Sequence, residues 1–121
     1  MQKLIAIIDD DQAIRDGLSS LLRSFGFQVR LYGSGEDFLN DEEGNCADIV
    51  LTDIQMPGMS GLDLQSIMNE QDPKIPLLVM TAFPEEALRQ RVIANGAVCF
   101  LSKPFKAAEL IHWIQHALEQ P

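Results

Sequence analysis

The residues best suited to chemistry fall into four groups: Asp9-Asp10-Asp11, Asp53, Thr81 and Lys103. Each stands at the end of a short apolar run: Leu4-Ile-Ala-Ile-Ile8, Ile49-Val-Leu51, Leu77-Leu-Val-Met80 and Val98-Cys-Phe-Leu101. Carboxylates gathered at one place repel one another, and each raises the other's pKa unless a cation joins them. Hard oxygen ligands with open positions suit Mg²⁺, which binds through one or two carboxylates and keeps waters for a phosphate. A hydroxyl and an ammonium beside them would neutralise charge on an incoming phosphoryl group, with Asp53 available as a carboxylate nucleophile. Taken singly, each residue has a plainer reading. An aspartate after a strand starts a turn, a lysine in a loop is solvated, and a threonine ends a strand.

Whether the groups act together depends on what positions them. The apolar runs, rich in branched residues, read as buried parallel strands over residues 4–8, 48–52, 77–80 and 98–101, with a shorter strand over 28–31. Between them lie helical patterns. Asp11 is placed to cap a helix with Ile14, Leu18, Leu21, Leu22 and Phe25 on its apolar face, stopped by Gly26. Ser34-Gly-Glu-Asp37 and Ser60-Gly-Leu-Asp63 are capping-box variants. They open a short helix to about Asn40 and a longer one carrying Leu62, Leu64, Ile67 and Met68. Residues 41–45 read as an acidic loop, and Asp72, Pro73 and Pro76 break the chain before the fourth strand. Pro84, Glu85 and Glu86 suit the first turn of a helix ending at Asn95-Gly96, and residues 106–119 form a last amphipathic helix.

Five strands alternating with five helices predict an α/β fold, a doubly wound parallel sheet with helices on both faces. The common strand order for five is the flavodoxin-like 2-1-3-4-5, which makes strands one and three neighbours at the switch point. Ligands of such sheets bind beyond the carboxyl ends of the strands, where Asp9-Asp10, Asp53, Thr81 and Lys103 stand.

The 121 residues predict one domain over 1–121. A net charge of −9 argues against nucleic-acid contact by this chain, while leaving room for a basic output module elsewhere. No apolar run reaches the ~18 residues of a membrane span, and Met1-Gln-Lys leads directly into a strand pattern rather than a signal peptide. Cys46 and Cys99 suit neither a disulfide framework nor metal spacing, which points to the cytoplasm. Cys99 reads as a small core residue.

The ordered set Asp-Asp-Asp, Asp53-Ile-Gln-Met-Pro-Gly-Met-Ser-Gly61, Thr81-Ala and Lys103-Pro-Phe resembles the response-regulator receiver domain across essentially the whole chain. The wording of Met56-Pro-Gly-Met-Ser-Gly-Leu-Asp-Leu-Gln65 and Cys99-Phe-Leu-Ser-Lys-Pro-Phe105 is closest to receivers of nitrogen-fixation-type regulators with helix-turn-helix outputs. The resemblance implies a phosphoacceptor switch of two-component signalling, fed by a sensor histidine kinase and controlling an output such as transcription. Such a domain is not an enzyme, though it assists its own phosphorylation and dephosphorylation. By resemblance, Asp53 is the phosphoacceptor, and Mg²⁺ is held by Asp10 with help from Asp9, by Asp53 and by the backbone carbonyl of Gln55. Lys103 pairs with the acceptor carboxylate and then the phosphoryl oxygens. Thr81 turns inward to the phosphoryl group, and Phe100 follows as a rotameric switch. Lys103-Pro104 is commonly cis in this family. Gln55 and Phe83 flank the acceptor and tune water access.

The receiver surface that commonly pairs on activation lies on the fourth helix, fifth strand and fifth helix. Arg89, Arg91 and Trp113 are its candidate residues, for a weak homodimer on phosphorylation. On a helical wheel Trp113 lies about 100° from the stripe of Leu110, Ile114, Ala117 and Leu118, so it is expected to be partly buried. His112 and His116 are four apart, but no third zinc-type ligand accompanies them. A Mg²⁺-dependent hydrolase or phosphotransferase with an aspartyl intermediate would need a substrate cap and its own general acid, and neither is evident in the sequence. An adaptor that never needs phosphate would not need the complete acidic set.

Overall fold

The computed structural model describes residues 2–42, 46–71 and 74–119. Glu43 to Asn45 of the expected acidic loop and the expected break at Asp72-Pro73 lie outside them. Strands and helices alternate as β1 (Leu4–Ile8), α1 (Gln12–Ser24), β2 (Gln28–Tyr32), α2 (Gly35–Asn40), β3 (Ile49–Asp53), α3 (Gly61–Asn69), β4 (Leu77–Thr81), α4 (Glu86–Ala94), β5 (Cys99–Ser102) and α5 (Ala107–Glu119). All strand pairs are parallel, in the order β2-β1-β3-β4-β5. This is the expected doubly wound sheet.

The alternation of side chains across the strands splits the core in two. Ile5, Ile7, Leu51, Leu78 and Met80 face α1 and α5, where they meet Leu18, Leu22, Leu110 and Ile114. Ala6, Ile8, Val50 and Val79 face the other way, onto Phe38, Leu64, Met68 and Val92 of α2, α3 and α4. The central β3 and β4 are buried at every position, so they carry the continuous apolar runs. The edge strand β2 is buried only at Val29 and Tyr32.

Helix starts follow local chemistry. The Asp11 carboxylate accepts from the N–H groups of Ala13 and Ile14 at 2.9 and 3.4 Å. Ser34 Oγ accepts from Asp37 N–H, and Ser60 with Asp63 makes a full reciprocal capping box. Gly26 and Gly96 follow α1 and α4 at φ 89° and 105°, in the left-handed region that favours glycine at a helix end.

Several expectations are corrected. Strand β3 begins at Ile49 because the Asp48 carboxylate caps the strand entry, accepting the Leu4 N–H at 2.8 Å, and it runs on to include Asp53 itself. Pro84 stands outside α4, which starts at Glu86 after an N-cap Glu85 that makes no side-chain cap bond. Phe25 sits at the C-cap of α1 and is 54% exposed, so it does not continue the apolar face. Ile67 is likewise on the rim of α3 rather than in the core. Helix α5 buries Leu110, Ile114 and Ala117 as expected, and Ile111 in addition.

Candidate functional site: an acidic crevice at the carboxyl ends of the strands

Register brings the chemistry together. Ile8 pairs with Thr52, so Asp9 and Asp53 stand side by side just past that pair. Asp53 pairs with Met80, and Thr81 with Ser102, so Thr81 and Lys103 lie one step further along the same edge. Backbone bonds carry the alignment past the strand ends. Asp9 N–H donates to Tyr32 carbonyl at 3.1 Å, Ile54 N–H to Met80 carbonyl at 3.1 Å, and Lys103 N–H to Thr81 carbonyl at 2.8 Å.

The carboxylates are then fixed individually. Asp9 is fully buried; its Oδ1 accepts from Asp11 N–H at 2.9 Å and its Oδ2 from Lys103 Nζ at 2.8 Å. Asp53 is 6% exposed, and its Oδ1 accepts from Ile54 N–H at 2.8 Å. Its Oδ2 faces Lys103 Nζ at 3.3 Å. The lysine is therefore shared, and its shorter contact is with Asp9 rather than with the expected acceptor. Asp10 is exposed. Ligand oxygens of Asp9, Asp10 and Asp53 lie within 4.8 Å of one another, so this trio can share a cation among the described residues. Burial pushes the Asp53 carboxyl above its ordinary range, and the neighbouring Asp9 adds to that; the Lys103 ammonium opposes it. An ion bridging the carboxylates would relieve both unfavourable effects.

Thr81 is fully buried, but it does not point a free hydroxyl at Asp53. Its O–H donates to Gln55 Oε1 at 2.6 Å, and its oxygen accepts from Phe83 N–H at 3.0 Å. Gln55 and Phe83 are exposed, Phe83 at 69%. Phe100 is half-buried against the cluster that holds Leu88 and Val92. The Lys103-Pro104 bond is cis, as expected.

Two contributors escaped the sequence reading. Arg15 on α1 donates from Nη1 to the Asp9 carbonyl at 2.6 Å, which fixes the peptide joining Asp9 to Asp10. Gly61 at the start of α3 lies against the backbone of the Asp53 turn. A Cβ there would stand 2.5 Å from the Asp53 carbonyl oxygen and 2.8 Å from Ile54 Cα. A helix start with a glycine after a capping serine was the available signal for that close approach.

The remaining candidates are not at the crevice. Arg89 and Arg91 are exposed on α4, and Arg89 contacts Glu86 at 3.4 Å. Trp113 is partly buried on α5, as expected, with its ring 5.2 Å from that of His112 and 5.6 Å from that of His116. The two helices flank the edge strand β5 from opposite faces of the sheet. Burial pushes the Cys99 thiol up to about 12, the behaviour of an inert core residue.

The fold is a doubly wound α/β sheet with an acid trio, a lysine and a hydroxyl at its carboxyl edge. Residues 5–115 match the family model described as the response regulator receiver domain, and the chain belongs to that family. It is 38% identical over 116 residues to the response regulator protein TodT of Pseudomonas putida, covering 96% of this chain and 51% of that protein. It is 39% identical over 116 residues to the transcriptional regulatory protein FixJ of Bradyrhizobium diazoefficiens, covering 96% of this chain and 57% of that one. The chain thus spans about half the length of these relatives. Among solved structures, FixJ-N superposes with a TM-score of 0.87 at 28% identity, covering 100% of this chain and 97% of that one. The BeF3-activated DrrB receiver domain superposes at 0.89 with 29% identity, covering 99% of this chain and 100% of that one. No helix among the described residues is long and apolar enough to cross a membrane.

Proposed function

We propose that this chain works as one receiver unit that accepts a phosphoryl group on Asp53 from a sensor histidine kinase. In this reading it acts in the cytoplasm and controls an output, transcription, as the name of the relative FixJ suggests. The observation that carries the reading is the close set of Asp9, Asp10 and Asp53 oxygens with Lys103 between two of them at 2.8 and 3.3 Å. Three carboxylates against one lysine leave an excess of negative charge in a partly buried crevice, which suits a small hard divalent cation. Mg²⁺ would be held by Asp9, Asp10 and Asp53 with the Gln55 backbone carbonyl, and when bound would offset charge on the phosphoryl oxygens.

Asp53 Oδ2 is the nucleophile, since Oδ1 is tied to Ile54 N–H. As it bonds to phosphorus, the bond from phosphorus to the donor breaks and its electron pair leaves with the donor. Lys103 moves from the carboxylate to the phosphoryl oxygens. Thr81 then turns to donate its hydroxyl to them, and Phe100 turns inward behind it. The segment after Thr81 is the two-state element, and the phosphoryl group biases it by binding one state better. The altered α4-β5-α5 surface, with Arg89, Arg91 and Trp113, supports a weak homodimer.

The test is intact mass after incubation with Mg²⁺ and acetyl phosphate. Wild type is expected to gain one phosphoryl group and Asp53→Asn none. A persistent adduct on Asp53→Asn would remove Asp53 from its role.

A further inference from the structure

A hydroxyl carries a single proton to donate. That of Thr81 is already given to Gln55 Oε1, at the short distance of 2.6 Å, while Phe83 N–H occupies its oxygen. In this state Thr81 has no proton left for a group arriving at Asp53. We propose that the Gln55 side chain is a latch: it competes with the phosphoryl group for the Thr81 proton and so sets the threshold at which the domain switches. This rests on the phosphoryl reading of Asp53 and goes beyond it by assigning the side chain, rather than the backbone, of Gln55 a positioning role.

The placement of the two residues supports the idea. Thr81 is fully buried at the end of β4, whereas Gln55 is exposed in the loop after β3, so the bond joins elements 26 residues apart. An exposed amide that loses its partner is solvated at little cost, whereas a buried hydroxyl must find another partner. The bond can therefore be given up, but only when something else at the crevice accepts the Thr81 proton. A phosphoryl oxygen, charged and strongly accepting, is such a partner. The same exchange frees Thr81 from the loop that follows Asp53, so the latch also decides which half of the site the hydroxyl follows.

Beryllofluoride with Mg²⁺ is the probe. Gln55→Met keeps the length of the side chain and the backbone carbonyl but has no strong acceptor. It is expected to bind beryllofluoride about fivefold more tightly than wild type, the factor matching a neutral hydrogen bond of ~1 kcal/mol. In a Thr81→Ala background the same substitution is expected to change affinity by less than about twofold, because the partner it releases is gone. In the ligand-free protein, Gln55→Met is also expected to shift the Phe83 amide resonance, since Phe83 N–H bonds the same hydroxyl. Unchanged or weaker binding by Gln55→Met would overturn the latch while leaving the phosphoryl reading standing. An equal gain with and without Thr81 would assign Gln55 to solvent access instead, and would overturn it too. Wild type that binds no beryllofluoride would sink the phosphoryl reading itself.

Discussion

Helices α3 and α4 each follow a strand that feeds the crevice, yet they are built in opposite ways. Helix α3 starts with a reciprocal capping box at Ser60 and Asp63, buries Gly61, Leu64, Gln65 and Met68, and seats Gly61 directly on the Asp53 turn. Helix α4 starts at Glu86, after an N-cap Glu85 that makes no side-chain cap bond, and buries Val92 alone. Its far end is better held. Gln65 Nε2 donates to the Val92 carbonyl at 2.9 Å and Asn69 Nδ2 to the Asn95 carbonyl at 2.8 Å, so α3 ties down the back of α4. The contrast teaches a division of labour: the turn that carries Asp53 is fixed, while the segment after Thr81 is loose in front and hinged behind. Loosely packed segments with few buried contacts are where local rearrangement costs least.

Breaking the fixed half should have the largest effect. Gly61→Ala places a methyl 2.5 Å from a backbone oxygen that cannot step aside. Destabilisation of about 3 kcal/mol is expected in urea unfolding, together with loss of beryllofluoride binding. A loss below about 1 kcal/mol would show that the Asp53 turn yields and is not fixed by α3.

Next is the charge that the fixed half carries. The Asp53 carboxyl is raised above its ordinary 3.8 by burial first, with Asp9 adding and Lys103 opposing. A raised acid binds its proton more tightly when folded, so the ionised group lowers stability as pH rises from the unfolded value through the folded one, and the loss persists above it. Asp53→Asn is therefore expected to stabilise the fold at neutral pH by about 1 kcal/mol. The gain should fade as pH drops toward 3.8, and thermal melts from acid to neutral pH check it. A gain that is the same at both ends of that range would deny the cause.

The two helix starts offer a finer comparison. Ser60→Ala removes a cap that α3 uses and should cost about 1 kcal/mol. Glu85→Ala at the equivalent place in α4 should change stability by less than about 0.5 kcal/mol, because no cap bond is lost. Equal costs in denaturant unfolding would erase the distinction between the helices.

The frame of this division was legible in the sequence. Branched apolar runs ending in Asp9, Asp53, Thr81 and Lys103 gave the strands, their order and the crevice, because parallel strands buried on both sides leave little choice of pattern. The capping serines were readable for the same local reason. What the sequence did not disclose depends on side chains meeting across long separations. Lys103 lies closer to Asp9 than to Asp53, and Thr81 is bonded to Gln55, through rotamers set by packing. Glu86 stands in the first turn of α4 as expected, but Pro84 and Glu85, which suit a first turn by type, precede the helix. Phe25 kept the spacing of α1 but fell on its C-cap, where the helical face no longer points to the core.

The central claim is that charge added at Asp53 is felt in front of α4 while α3 stays in place. Amide NMR shifts followed through a titration with Mg²⁺ and beryllofluoride test it most directly. The account predicts large changes at the Asp53 turn, across residues 81–86 and at Phe100, with residues 62–69 of α3 nearly unmoved. Shifts confined to the Asp53 turn, with residues 82–101 unchanged, would contradict it.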